Sequence, residues 1–481
     1  MAEARGFSEQ IPKKSEDISR WYTEVVLRAQ LADYSPVRGT MVIRPYGYGI
    51  WENMQQLLDR RIKATGHKNA YFPLFVPESL LAREAEHVEG FVPQVAWVTA
   101  AGDEELEERL AIRPTSEAII CEMYSRWIQS WRDLPVLLNQ WANVVRWEKR
   151  TYLFLRTTEF LWQEGHTAHR THEEAEEEAL RMLEVYRDFV ETELAIPVVK
   201  GRKSELEKFP GAEATYTIEA MMPDGRALQA GTSHDLGQHF AKGFDITFLD
   251  SDGERKYVWQ TSWGVTTRLI GALIMVHGDD SGLIVPPRVA PVQVVVIPIW
   301  RKDEELAAVR SMVEEVRRAL EPHVRLEVDW SEHTPGWKFN EWELRGAPLR
   351  LEIGPRDVQQ RQVVAVRRDT RAKEVVSLER LPGRVGELLE AVQSSLFQRA
   401  LDFRSARTWR VDSFDAFKEQ LARERGFLLA HWCGRSSCEE QIKEETGATI
   451  RCTPLDAERE EGRCVWCGER SERRVIFARS Y

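Results

Sequence analysis

The sequence predicts a multidomain chain of mixed α/β and α+β architecture. A unit with a strand–loop–strand core comes first, a smaller α/β unit second and a small metal-type unit last. Three observations predict this. The chain has 481 residues, too many for one hydrophobic core. Two apolar–charged runs flank a polar loop between residues 143 and 164, a strand–loop–strand pattern, whereas strands and helices alternate after residue 291. Five of the six cysteines fall after residue 430. Without an export signal, that clustering suggests a metal site rather than disulfides.

Composition sets outer bounds. Apolar residues make up 43% and charged residues 30%, as in ordinary globular proteins. The net charge of −11 argues against a general nucleic-acid coat but leaves room for a local basic site. No segment reads as a signal peptide or membrane span, so the expected compartment is the cytoplasm. No internal repeat or low-complexity tract is visible.

Taken in order, residues 1–15 read as a loose leader and 18–31 as a helix. Residues 37–43 read as a strand, and 50–65 as a helix closed by Gly66. Residues 69–77 form an extended apolar run holding Pro73. The acidic run 102–108 reads as a solvated loop or helix start. Thr115-Ser116-Glu117 ahead of an apolar stretch has the form of a helix N-cap with an acid in its first turn. In Val145-Arg146-Trp147-Glu148 the two charged residues stand two apart, which on a strand puts them on one face. A second strand is expected through 154–164, then a long helix over 171–194 whose early acids offset its dipole. His166, His169 and His172 recur every third residue near Glu164; a metal site is conceivable there, but pocket residues followed by a helix entry is the favoured reading. Residues 261–264 read as a strand ending at a glycine, followed by a helix headed by Arg268. An arginine there opposes the helix dipole, which favours a functional role over an ordinary solvated helix start.

Residues 278–291, dense in Pro and Gly, read as a linker. Strands near 292–299, 324–328, 348–353 and 362–367, with helices at 304–320 and 337–345, predict a largely parallel sheet. Between residues 346 and 373 there are seven Lys or Arg against three Asp or Glu. A helix over 385–404 leads to Cys433-x4-Cys438 and Cys464-x2-Cys467, two close pairs that suit a tetrahedral four-thiolate zinc site, with Cys452 as a spare that could compete. The expected domains are 1–285, 286–405 and 406–481.

Several of these strings are specific. Arg146-x-Glu148, a loop, then Phe154-Leu-Arg-Thr-Thr-Glu-Phe-Leu-Trp-Gln-Glu-Gly-His166 resembles motif 2 of the class II aminoacyl-tRNA synthetases, in the wording of the archaeal/eukaryotic-type prolyl enzymes. The helix near 50–65 with Pro73 resembles motif 1, which builds a dimer interface in the family, and 261–275 resembles motif 3. Arg113-Pro-Thr-Ser-Glu117 and Leu228-Gln-Ala-Gly-Thr-Ser-His234 are similar to the family's pocket strings, and residues 338–357 to its anticodon-binding domain. The resemblance spans residues 15–481 in family order. It implies a class II antiparallel catalytic domain, an α/β anticodon-binding domain and a C-terminal zinc domain, working as a homodimer with no membrane partner.

The resemblance also implies roles. L-proline would be held by Thr115, Glu117, Arg146, Trp162, Glu164, His166, Ser233 and His234. ATP would be held by Arg146, Glu148, Arg156, Thr157, Gln229, Thr232 and Arg268, with Mg2+. Arg146 and Arg268 would act in catalysis. The anticodon of tRNA(Pro) would meet Glu343, Arg350 and Arg356, and Cys433, Cys438, Cys464 and Cys467 would bind structural Zn2+. Gly231 would admit close backbone approach, and the chain's apolar C-terminal tail, ending at Tyr481, would dock on the catalytic domain. The implied reaction is ATP-dependent attachment of proline to tRNA through prolyl-adenylate. Too few residues separate motifs 2 and 3 for a large editing insertion, so some mischarging with alanine or cysteine is expected. A synthetase for another amino acid, such as threonine, disagrees with the pocket strings. A non-catalytic relative would have lost some of Arg146, Glu148, Gln229 or Arg268, and all four are present.

Overall fold

The computed structural model describes residues 11–87 and 95–481. Most of the expected leader, residues 1–10, lies outside them.

The centre of the fold is a sheet that is eleven-stranded among the described residues. Strands Val136–Val145, Glu159–His169, Trp259–Thr266, Ala227–Gly237, Ala214–Met221 and Val198–Arg202 are antiparallel neighbours in that spatial order. Under them lies the helix His172–Glu193, capped at its start by the Thr171 side chain. Its Met182, Leu183, Tyr186, Phe189 and Val190 are buried with Met54, Leu58 and Ile62 of the helix Pro45–Ala64. That helix starts five residues earlier than expected. Pro45 sits at its first position, where a missing N–H costs nothing. Gly47 is needed because a Cβ there would come 2.2 Å from the Leu31 carbonyl oxygen.

Other expectations are corrected. The extended run 69–77 is two short strands in different sheets, Lys68–Asn69 against Val136–Val145 and Phe75–Pro77 against Glu104–Ile112. The acidic run belongs to this last strand, with its acids exposed; hairpin pairing with Trp97–Ala101 overrides the weak strand preference of glutamate. The segment 278–291 is no loose linker. Leu283, Ile284, Val285, Val289 and Ala290 are buried, and Asp279 receives a two-pronged contact from Arg368 at 2.6 and 2.8 Å.

The second unit is mixed rather than largely parallel. Strands Leu326–Val328, Val294–Pro298 and Leu349–Ile353 are parallel, but Gln362–Arg367 and Lys373–Ser377 are antiparallel additions. The helix Leu381–Ala406 then carries the chain to the last unit.

That last unit is not a separate bead. Its strands Thr408–Val411, Phe427–His431, Arg474–Ala478 and Thr449–Pro454 join the central sheet, because Thr453 and Pro454 pair with Arg202 and Gly201. Cys452 is buried in this seam and crowds Gly201, where a Cβ would meet its Sγ at 2.4 Å. It lies outside the four-cysteine cluster and does not compete for it. The chain's end is docked as well. Tyr481 N–H donates to the Ala227 carbonyl (3.1 Å), and its hydroxyl donates to Asp224 Oδ2 (2.8 Å).

Candidate active site

The central sheet carries a cavity of about 410 Å3 on one face. The alternation of the strand Glu159–His169 explains much of its lining. Trp162, Glu164 and His166 point into it, whereas Gln163 and Thr167 are buried on the other face. Gly165 also faces away and must be small, since a Cβ there would meet the Trp263 ring at 2.1 Å.

The strand Ala227–Gly237 needs an irregularity to do the same. Gln229 and Thr232 are three apart and on a regular strand would face opposite ways. The register slips at this point: Ile218 pairs with Gly231, Glu219 with Gln229, and Ala230 is the extra residue. This bulge brings Gln229, Thr232 and His234 to the same cavity. Ser233 does not join them. It is fully buried on the opposite face, donating to the Ala179 carbonyl of the underlying helix (2.7 Å), and the sequence-based assignment of Ser233 to the substrate pocket is corrected. Gly231 is crowded by Val265, 2.9 Å from a Cβ placed there, so its smallness serves strand packing.

Arg146 and Glu148 both line the cavity, but not as strand residues. The strand ends at Val145, and the expected second strand begins only at Glu159, because residues 152–156 turn back on themselves with Tyr152 and Arg156 exchanging backbone bonds. Arg146 is held from three sides. Its Nε donates to the Pro114 carbonyl (2.9 Å), and its guanidinium lies 5.6 Å from the Trp162 ring and 5.8 Å from that of Phe160. Burial pulls its pKa down, opposed by Glu117, Glu164 and Glu148. Arg113 locks the preceding loop by donating to the carbonyls of Asn143 and Phe72, both at 2.7 Å.

At the closed end of the cavity Glu117, Glu164 and His166 form a buried cluster. His166 Nε2 lies 3.5 Å from Glu117 Oε1, and its Nδ1 lies 3.8 Å from Glu164 Oε2. Burial would raise Glu117, but His166, the Thr115 hydroxyl and its own backbone N–H outweigh it and hold the carboxyl at about 2. Glu164 goes the other way, raised by burial and by Glu117. His166 is raised despite burial, because both carboxylates favour its charged form. His234 is pushed down to about 4 by burial, with Thr215 at 2.9 Å from its Nδ1 and Phe209 against its ring. Two like acids are thus pushed in opposite directions by their surroundings.

The open end is cationic. Arg156 is exposed and pairs with Glu148 (2.9 Å). Thr157 lines the cavity with its hydroxyl tied to the Glu159 carbonyl (2.7 Å). Arg268 opens the helix Arg268–His277, and its Nε donates to the Leu155 carbonyl (3.2 Å). Burial lowers its pKa, and Arg146 and Arg156 add to that, outweighing Glu219 and Glu148. Arrangements of this kind suit a polyphosphate at one end and a small cation at the other.

Some positioning residues were not singled out in the sequence. Ser116 donates to Glu164 Oε1 (2.5 Å), as does Gln140 (2.7 Å). Thr215, Phe209, Ser262 and Thr266 also line the cavity. Ser116, Ser262 and Thr266 stood inside quoted strings; Gln140, Phe209 and Thr215 carry no local signal, because elements far away in the chain place them.

The remaining candidates lie elsewhere. Arg350 is nearly buried, bonding Glu352 Oε1 (3.0 and 3.1 Å) and Glu343 Oε1 (3.3 Å) and stacking 4.2 Å from Phe339. Most of the basic stretch around it is neutralised: Arg361 pairs with Glu315, Arg367 with Asp369 and Arg368 with Asp279. Among the described residues Arg356 has neither a hydrogen-bond nor an ion-pair partner, and it is exposed in the first turn of the helix Pro355–Gln360. In the last unit the sulfurs of Cys433, Cys438, Cys464 and Cys467 lie within 4.8 Å of one another, with 3.7 Å from Cys433 to Cys438 and to Cys467. His166, His169 and His172 do not converge; His172 instead faces Asp235 and Glu213.

Comparison with known proteins matches this architecture along the chain. Residues 97–277 match the tRNA synthetase class II core domain (G, H, P, S and T), and 293–388 match an anticodon binding domain. Residues 414–481 match the C-terminal domain of prolyl-tRNA synthetase. A proline–tRNA ligase from Natranaerobius thermophilus is 60% identical over 478 residues, 99% of each chain. The chain belongs to the prolyl-tRNA synthetase family. Another family member, from Alkaliphilus oremlandii, is 55% identical over 476 residues, covering 99% of this chain and 98% of that one. The crystal structure of prolyl-tRNA synthetase from Cryptosporidium parvum complexed with halofuginone and AMPPNP superposes with a TM-score of 0.94 at 44% identity, covering 98% and 99% of the two chains. The chain is therefore a class II aminoacyl-tRNA synthetase of the prolyl family, with an antiparallel catalytic core. No helix among the described residues is long and apolar enough to cross a membrane.

Proposed function

We propose that the cavity activates L-proline with ATP and that the activated residue then passes to tRNA(Pro). The observation that carries this reading is the polarity of the cavity, with the fixed Glu117 anion at its closed end and Arg146, Arg156 and Arg268 toward its mouth. Proline's secondary ammonium offers two N–H donors and one charge. Glu117 and Thr115 would accept from it, His166 and Glu164 would complete the polar floor, and Trp162 would form a wall for the apolar ring. Arg146 would hold the reacting carboxylate and the α-phosphate, and Arg268 the γ end. Glu148, Arg156 and Thr157 would hold the nucleotide, and Gln229, Thr232 and His234 would stand at its junction with proline.

Activation needs no general base, because the attacking carboxylate is already ionised. Its oxygen forms a bond to the α-phosphorus while the bond to pyrophosphate breaks; orientation and charge stabilisation are what the residues supply. Bound with ATP, Mg2+ would neutralise the phosphates and the departing pyrophosphate. A ribose hydroxyl at the tRNA terminus then attacks the mixed anhydride and AMP leaves. The test is ATP–pyrophosphate exchange across the amino acids without tRNA. Exchange that depends on proline is expected; exchange with another amino acid instead would discard the pocket assignment. With no editing insertion, slow release of alanine from mischarged tRNA is part of the same reading.

The four cysteines would hold a structural Zn2+. A tetrahedral ion with Zn–S of about 2.3 Å sets its sulfurs about 3.8 Å apart, which the 3.7 Å spacings meet. All four positions would be filled by protein, so the ion would act in folding. Substituting Cys464 by serine is expected to remove the metal and expose the strands Thr449–Pro454 and Arg474–Ala478 to amide exchange. Undiminished protection in metal-free protein would refute the structural role. Glu343, Arg350 and Arg356 would contact anticodon bases; Arg356 is free to do so at once, and Arg350 would exchange a carboxylate for a base edge. Tyr71, 71% exposed, and Phe75, 46% exposed, flank Pro73 and favour the homodimer. Domain limits of 1–285, 286–405 and 406–481 and a cytoplasmic location complete the proposal.

A further inference from the structure

Beside the cavity just described runs a second one, about 890 Å3 and open to solvent. Arg156 and Glu207 line both, so the two adjoin at these side chains. The second is bounded on one side by the central sheet, through Arg226, and on the other by the C-terminal unit, through Arg425, Lys443 and Arg479. Five cationic side chains face it and one carboxylate, on a chain of net charge −11. Their compensation is partial. Lys443 lies 3.5 Å from Glu207, Arg226 lies 3.4 Å from Asp224, and Arg479 caps a helix end by donating to the Thr446 carbonyl (3.1 Å). Among the described residues the Arg425 guanidinium has neither a hydrogen-bond nor an ion-pair partner. A cleft of this sign concentrates anions, and its volume exceeds what a single phosphate needs. It leads inward to the place where the tRNA's terminal ribose hydroxyl must arrive.

We infer that this cleft is the track of the single-stranded 3′ end of tRNA, whose backbone phosphates are held by Arg425, Lys443 and Arg479. The C-terminal unit then has a second use besides its structural one: it forms one wall of the path into the active site. Contacts of this kind read charge and not sequence. The inference rests on the ligation reaction proposed above.

The test uses the full chain with Arg425→Ala, Lys443→Ala and both together. Proline-dependent pyrophosphate exchange without tRNA is expected to stay within about twofold of wild type, because neither residue touches the first cavity. In aminoacylation, KM for tRNA is expected to rise about 3- to 10-fold per cation removed, and the log–log salt slope to fall by about 0.7 per cation. Arg425→Lys should restore most of the loss. A hairpin holding only the acceptor stem and 3′ end should show the same loss as full tRNA. Unchanged KM and salt slope would overturn the inference, and so would a loss seen with full tRNA but not with the hairpin. Exchange falling in parallel with aminoacylation would place the cleft on the nucleotide side and overturn it too. Absence of proline-dependent exchange in the wild type would instead mark a failure of the underlying reaction.

Discussion

Replacing Arg146 by alanine is expected to reduce proline-dependent ATP–pyrophosphate exchange by about 10²–10³-fold or more, the usual cost of removing a preorganised group aimed at developing charge. The expectation follows from how the side chain is held. One nitrogen is engaged by the Pro114 carbonyl and the guanidinium is steadied by Trp162 and Phe160, which leaves its other edge for ligand. Partial burial strengthens its interaction with a phosphate relative to open water. Lysine at the same position should recover little, since an ammonium is a point charge without the planar fork that bonds the carbonyl with one nitrogen and ligand oxygens with the others. The mean hydrogen-exchange protection should be unchanged, because the retained loop lock is Arg113. An alanine variant that keeps exchange within about fivefold of wild type would remove Arg146 from the chemistry.

The second large effect is expected far from the reaction. Glu219, fully buried, bonds Lys203 Nζ (2.7 Å) and Arg451 Nε (3.1 Å), and both partners are buried too. Lys203 and Glu219 lie on the catalytic side of the seam and Arg451 on the strand Thr449–Pro454. Glu219→Gln would leave Lys203 and Arg451 facing each other, with only Glu207, 3.9 Å from Arg451, as a remaining anion. Breaking a buried pair in this way costs about 3–5 kcal/mol, so amide protection in Thr449–Pro454 should fall by about 10²–10³-fold. Replacing all three residues by apolar ones of similar size should be far milder, because no charge is then stranded. If the single substitution leaves protection intact, the network does not hold the seam. Burial raises the Glu219 carboxyl, but Lys203 and Arg451 outweigh it and place it below its usual 4.5. Its stabilisation is therefore present above about pH 4.5 and is lost as pH falls through the folded value.

Much of the site was legible because its strings combine residue types with spacing. Trp162, Glu164 and His166 alternate as a strand demands, and the cysteine pairs announce their cluster. Legibility failed where a neighbour overrode the local pattern. The acidic run became a strand because it pairs in a hairpin with Trp97–Ala101. Val145-Arg146-Trp147-Glu148 lost its strand beyond Val145, yet Arg146 and Glu148 still reached one cavity. Gln229 reached it only through a bulge, and Ser233, one residue from two cavity residues, faced the opposite way.

The sequence by itself determined the order of the units, the residue types of the cavity and the four-thiolate cluster, all properties of short segments with fixed periods. The tertiary structure alone decided that the C-terminal unit shares the catalytic sheet, that Cys452 seals that seam, and that Glu219 meets Arg451 across 232 residues. The physical reason is range. Side-chain alternation is set by the backbone within a few residues, whereas register, burial and charge pairing are set by whichever distant strand arrives alongside.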